Sequence, residues 1–110
     1  MKQSHTVVVE RNVVWHGDFT VEPYETAWAS EALYFVRALT ASNVPPGTQA
    51  RIQISPDGIH WCDEGSELPL PSEPGLTFCR VSHFGGWLRV IGTLPPGASL
   101  TVLVYLVLKE

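Results

Sequence analysis

Residues 99–109, SLTVLVYLVLK, form the most apolar and most β-prone run of the chain. Strand side chains alternate between faces, so Val102, Val104, Leu106 and Leu108 share one face while Thr101, Leu103, Tyr105 and Val107 share the other. An antiparallel strand in a free-standing sandwich shows water one polar face, and a strand apolar on both faces is normally covered on both. The second cover is either a further layer of the same chain or another subunit. The expectation is a subunit, with Leu103, Tyr105 and Val107 as the contact. At about 3.3 Å per residue the run spans roughly 30 Å, and it falls short of the ~20 apolar residues of a membrane helix.

Upstream, residues 5–15 alternate cleanly, with Val7, Val9, Val13 and Trp15 on one face and Thr6, Val8, Glu10 and Asn12 on the other. Residues 16–18 make a turn, 19–21 begin a short strand, and Pro23 ends it. Residues 26–40 fit two periods: Trp28, Ala32, Phe35 and Leu39 suit a helix, and Leu33, Phe35 and Leu39 against Tyr34, Val36 and Ala38 suit a two-sided strand over residues 31–40. An internal echo favours the strand. Residues 35–54 and 87–104 each carry an aromatic, an Arg two residues on, an apolar stretch, Pro-Pro-Gly and a β-rich run, which reads as strand, turn, strand. Residues 49–55 alternate, Pro56-Asp57-Gly58 reverses the chain, and residues 60–63 return. Residues 64–75, with three prolines and two glycines, read as the one long loop. Residues 76–83 form a strand, Gly85-Gly86 a hairpin turn, and residues 87–93 its partner. About seven to nine short strands at this spacing predict an all-β, antiparallel β-sandwich, jelly-roll-like, with residues 1–110 as one domain.

Composition sharpens the second-cover argument. Charged residues are 16% of the chain, against about 25% in an average domain, which suits surfaces that are covered in the working state. The net charge is −4, and the seven Lys and Arg residues never cluster along the sequence, so neither nucleic acid nor an anionic membrane is an expected partner. Glu10 and Arg11 interrupt the first apolar run before it reaches signal-peptide length. Cytoplasmic synthesis without a signal peptide is therefore expected, with Cys62 and Cys79 mostly reduced.

The string Ser55-Pro56-Asp57-Gly58-Ile59-His60-Trp61 resembles the Asp-box hairpin of β-propeller sialidases through Ser55, Asp57, Gly58 and Trp61, with one residue fewer between Asp and Gly and a single copy. It is similar as well to hairpins in small β-sandwich domains of phage and bacterial surface assemblies. Both resemblances imply a structural turn in which Asp caps the backbone and the aromatic packs beneath. The cupin metal motif is met only in part: His60 and Glu64 are present, but Cys62 stands in place of its second His and Glu64 comes too early. His60, Cys62, Cys79 and His83 are the residues that would hold a Cys2His2 zinc site if their strands were neighbours. No catalytic triad, phosphate loop or nucleotide fingerprint is present.

Three functions follow, in order of expectation. The first is a non-enzymatic structural subunit that self-associates, as a trimer, and decorates or builds a protein shell or phage-like particle, with no cofactor. The second is a carbohydrate-binding module using Trp61 with Trp87 or Trp28, and the third a small metal-dependent, cupin-like β-barrel.

Overall fold

The alternating segments become nine strands in a computed structural model that describes residues 4–82 and 84–110. They are β1 (Ser4–Trp15), β2 (Asp18–Thr20), β3 (Tyr24–Glu25), β4 (Glu31–Ala38), β5 (Gln49–Ser55), β6 (Cys62–Pro69), β7 (Gly75–Ser82), β8 (Trp87–Thr93) and β9 (Leu100–Lys109). The described residues contain no helix, so the two-sided reading of residues 31–40 is the one realised, as β4.

All pairings are antiparallel, giving one sheet in the order β1-β9-β4-β7 and a second in the order β2-β8-β5-β6, with β3 also pairing β8. The order is nested. β1 pairs with β9, β2 with β8, β4 with β7 and β5 with β6, as in one long hairpin wound about itself, while β4 with β9 and β5 with β8 complete the sheets. Two sheets in this order form a jelly-roll β-sandwich.

The echoed segments are the centre of the winding. In each, Pro-Pro-Gly carries the chain from one sheet to the other, β4 to β5 and β8 to β9, and the two units pair reciprocally. The turns have the same construction: Thr48 N–H donates to Pro45 O at 3.3 Å and Ala98 N–H to Pro95 O at 3.0 Å, with Gly47 at φ 87° and Gly97 at φ 84°. Proline ahead of a positive-φ glycine is what a type II turn requires. Asn43 ties them together, donating from Nδ2 to Gly97 O and accepting Ser99 N–H on Oδ1, both at 2.8 Å.

The core lies between the inward faces. Val102, Val104, Leu106 and Leu108 of β9 are fully buried against Tyr34 and Val36 of β4 and Ile52, Leu88 and Val90 of the opposite sheet. Trp15 and Phe19 stack at 4.1 Å and 9°. Phe19 lies opposite Gly92, where a Cβ would come within 2.6 Å of its ring. Burial pushes the Tyr34 phenol well above its ordinary value, with Cys79 adding to the shift, and its hydroxyl has no hydrogen-bond partner among the described residues.

Three local expectations are corrected by pairing. Residues 62–69, six of which fall in the expected loop, form β6, because their backbone completes β5 in register from Gln49↔Pro69 to Ile54↔Cys62 around an irregularity. Strands β7 and β8 belong to different sheets, so residues 84–86 cross the sandwich instead of turning a hairpin; Thr26 N–H and Oγ1 hold the Gly86 and Gly85 carbonyls there. In β1, strict alternation would bury Arg11 with Val7 and Val13. Two register shifts, between Val8 and Glu10 and between Arg11 and Val13, turn Arg11 outward and still return Trp15 to the core. Asn12, at φ 54°, occupies the second bulge in the left-handed region that Asn tolerates.

Candidate interaction surface

The outward side chains of the β1-β9-β4-β7 sheet follow from register alone, because residues directly opposite on antiparallel strands share a face. One row runs Val8, Tyr105, Phe35, Phe78 across all four strands. On one side of it lies the row Arg11, Leu103, Arg37, Leu76, and on the other Thr6, Val107, Leu33, Arg80. The central row is apolar from edge to edge.

Leu103, Tyr105 and Val107 are half-buried, since β9 is flanked on both sides and neighbouring side chains cover part of each. Exposure rises toward the edges: Val8 is 36% exposed, Phe78 45% and Leu76 58%. Phe35 and Phe78 pack as a tilted pair at 5.8 Å, and the Arg80 guanidinium lies 5.3 Å from the Phe78 ring centre. The reading of the final strand thus found the middle of the surface and missed its flanks. In β4 (Leu33, Phe35) the two-sided pattern is legible in the sequence but is not joined there to the final strand, and in β7 (Leu76, Phe78) it is weaker because Arg80 interrupts it.

The fold also gathers charge that the sequence scatters. Among the described residues Arg11, Arg37, Arg80 and Lys109, four of the chain's seven basic residues, stand exposed on this face, and Glu31 is its one outward acid. The face therefore carries three net positive charges on a chain of net charge −4. At its end, Glu31, Leu33, Arg80, Ser82 and Lys109 line a cavity of about 440 Å³.

The outer face of the second sheet is organised differently. Arg89 donates from Nε and Nη2 to Gln53 Oε1 at 2.9 and 2.7 Å, Gln53 Nε2 donates to Asp63 Oδ1 at 2.9 Å, and Arg51 pairs with Asp63 at 3.5 Å. The Arg89 guanidinium lies 4.2 Å from the Trp61 ring centre, so one face of that ring is occupied from within the chain. Trp87 is likewise engaged, packed on Gly58 where a Cβ would come within 3.1 Å of its ring. Trp28 is 43% exposed. The described aromatic pairs include none of these three tryptophans.

The Ser55–Trp61 turn is held by its own side chains. Ser55 Oγ accepts the N–H groups of Asp57 and Gly58 at 3.2 and 2.8 Å, and donates to Asp57 Oδ1 at 3.0 Å. Asp57 Oδ1 also accepts the N–H groups of Ile59 and His60, each at 2.8 Å, while Oδ2 lies 2.7 Å from His60 Nδ1. The His60 backbone and ring, then the Ile59 N–H, hold the Asp57 carboxyl well below the usual carboxylate range. This is a turn-capping constellation.

Of the zinc candidates, His60 is exposed and bound to Asp57, Cys62 is exposed at the start of β6, and Cys79 is buried on β7 of the other sheet. His83 lies outside the described residues. Among the described residues no three His, Cys, Asp or Glu side chains form a group able to hold a metal ion. Burial, then the nearby Glu64 carboxylate, pushes the Cys79 thiol up to about 11.

No family model matches the chain, and no curated protein matches it in sequence. Its fold is similar to several solved structures. The SPBc2 prophage-derived protein YomS superposes with a TM-score of 0.63 at 6% identity, covering 100% of this chain and 96% of that one. The infectious bursal disease virus VP2 subviral particle gives 0.57 at 13% identity over 98% of this chain and 32% of VP2. CpGH89CBM32-5 from Clostridium perfringens, in complex with GalNAc-β-1,3-galactose, gives 0.51 at 14% identity over 94% of each chain. At these identities the likeness establishes a shared β-sandwich fold, one that a prophage protein, a viral particle protein and a carbohydrate-bound module all use.

Proposed function

We propose that this chain is a non-enzymatic structural subunit that self-associates, a trimer being the expected order, and contributes to a protein shell or phage-like particle. The observation that carries this reading is the apolar row Val8, Tyr105, Phe35, Phe78, which crosses a whole sheet and has no covering layer among the described residues. Contiguous apolar surface of that kind marks an interaction site. The reading places Leu103, Tyr105 and Val107 at the middle of the contact, with Leu33, Phe35, Leu76 and Phe78 around them. The fold likeness to a prophage-derived protein and to a viral particle protein is consistent with such a role.

The carbohydrate-binding alternative needs exposed, coplanar aromatic rings, and two of its three tryptophans already have a ring face in use. Sedimentation velocity from micromolar to hundreds of micromolar chain tests the proposal. A concentration-dependent species of three or more copies is expected; a monomer throughout overturns it.

A further inference from the structure

The charge on the apolar face says which part of a second copy can cover it. In a two-fold dimer the face would meet itself, setting four cations against four with only two copies of Glu31 between them. Like charges brought together in a desolvated contact oppose association, and specificity is commonly built that way. The rest of the chain is the electrostatic complement: it holds ten of the eleven acidic residues and seven net negative charges.

Residues 57–73 hold five carboxylates, but Asp57 caps its own turn, Asp63 binds Gln53 and Arg51, Glu64 accepts Ser66 N–H and Glu67 lies opposite Arg51. The acidic stretch less engaged within the chain lies along β2 and β3. Between His16 and Ser30 the chain has Asp18, Glu22 and Glu25 and neither Lys nor Arg. Glu22 and Glu25 are exposed, and Trp28 follows three residues on at 43% exposure. An exposed Trp beside carboxylates matches a face of aromatic rings flanked by arginines, since Trp and Arg are the residues that dominate interface energetics.

Size and geometry agree with this choice. Four strands about 4.8 Å apart and about eight residues of ~3.4 Å give a face of roughly 500 Å², so that one contact buries about 1,000 Å² in total, the lower end for a specific interface. A copy that offers its face to one neighbour and its edge to another uses two such contacts. Strands β2 and β3 form the edge of their sheet. A face and an adjoining edge meet at a steep angle, as a small closed ring needs, whereas a face docked on the opposite face would continue as an open stack.

Resting on the proposed self-association and adding its polarity, we infer that assembly is heterologous: the arginine-flanked aromatic face of β1-β9-β4-β7 seats on the acidic β2–β3 edge, with Trp28, of the next copy. The test uses R37E/R80E, E22K/E25K and the four changes combined, each compared by sedimentation velocity at low and high salt. Either double variant should weaken assembly at least a hundredfold, the combined variant should restore it to within tenfold of the parent, and the parent should weaken as salt rises. If E22K/E25K assembles like the parent while R37E/R80E changes assembly, the face is a contact but the β2–β3 edge is not its partner, and the polarity is overturned. A parent monomeric at all concentrations overturns the self-association itself. A single-stranded oligonucleotide that binds the parent, displaces assembly and is lost in R37E/R80E would assign the basic face to nucleic acid and overturn the inference.

Discussion

Truncating Leu76 and Phe78 to serine is the cleanest test of the face. Both sit on the outer strand β7, where Leu76 is 58% and Phe78 45% exposed, so much of their surface is free to be buried by a partner. A Phe side chain presents about 200 Å². Covering the exposed 45% removes roughly 90 Å² from water, worth about 2 kcal/mol at ~25 cal/mol per Å². Full burial of Leu is worth about 2 kcal/mol, and the exposed part of Leu76 scales this to about 1 kcal/mol. The double variant should therefore weaken each contact by about 3 kcal/mol, roughly a hundredfold in Kd.

The chain itself loses less. Phe78 gives up its pairing with Phe35 and its contact with Arg80, together about 1–2 kcal/mol. Circular dichroism and urea denaturation would verify that the variant is folded, and sedimentation velocity across a concentration series would give the Kd. A folded L76S/F78S whose Kd lies within threefold of the parent refutes the reasoning. The change L103S/V107S asks the same question less cleanly, because those side chains are half-buried by their own sheet and their loss also weakens the fold.

Gly92→Ala places a methyl 2.6 Å from Phe19 Cζ, and should cost about 1–3 kcal/mol in urea unfolding as an overpacked core does; an unchanged midpoint would show that Phe19 can yield. Asp57 has a folded pKa below its ordinary value, so the stabilisation it gives is present above about pH 4 and fades as pH falls below that. D57N should flatten the acid branch of a stability-versus-pH curve below pH 4, and a branch as steep as the parent's would count against the turn network. Cys79, with its thiol raised to about 11, should stay unlabelled by iodoacetamide at pH 8 while exposed Cys62 reacts, giving one modification per folded chain and two in urea. Because the raised thiol favours the folded state only while protonated, stability should also decline as pH rises from the ordinary thiol value toward 11, an effect that C79A should remove.

Period-two alternation places side chains on faces without reference to the rest of the fold, which is why β9, β5 and the inward face of β4 were legible from residues alone. The same locality made the Ser55–Trp61 turn legible, since its hydrogen bonds stay within a few residues. What escaped depends on partners distant along the chain. Residues 64–69 carry loop-like glycine and proline, yet form a strand because β5 offers an unpaired edge. Nothing near Gly85 says that β7 and β8 lie in different sheets; the pairings of β7 with β4 and of β8 with β5 decide it. The two bulges of β1, which turn Arg11 outward, exist only relative to β9.

The surface shows the same division most clearly. Alternation sufficed to mark Leu103, Tyr105 and Val107 as a second apolar face, because that property belongs to one strand. Only the nested winding of the jelly roll brings Arg11, Arg37 and Arg80 onto that face beside Lys109 of the same strand, because strand register, set by long-range backbone pairing, decides which distant residues become neighbours.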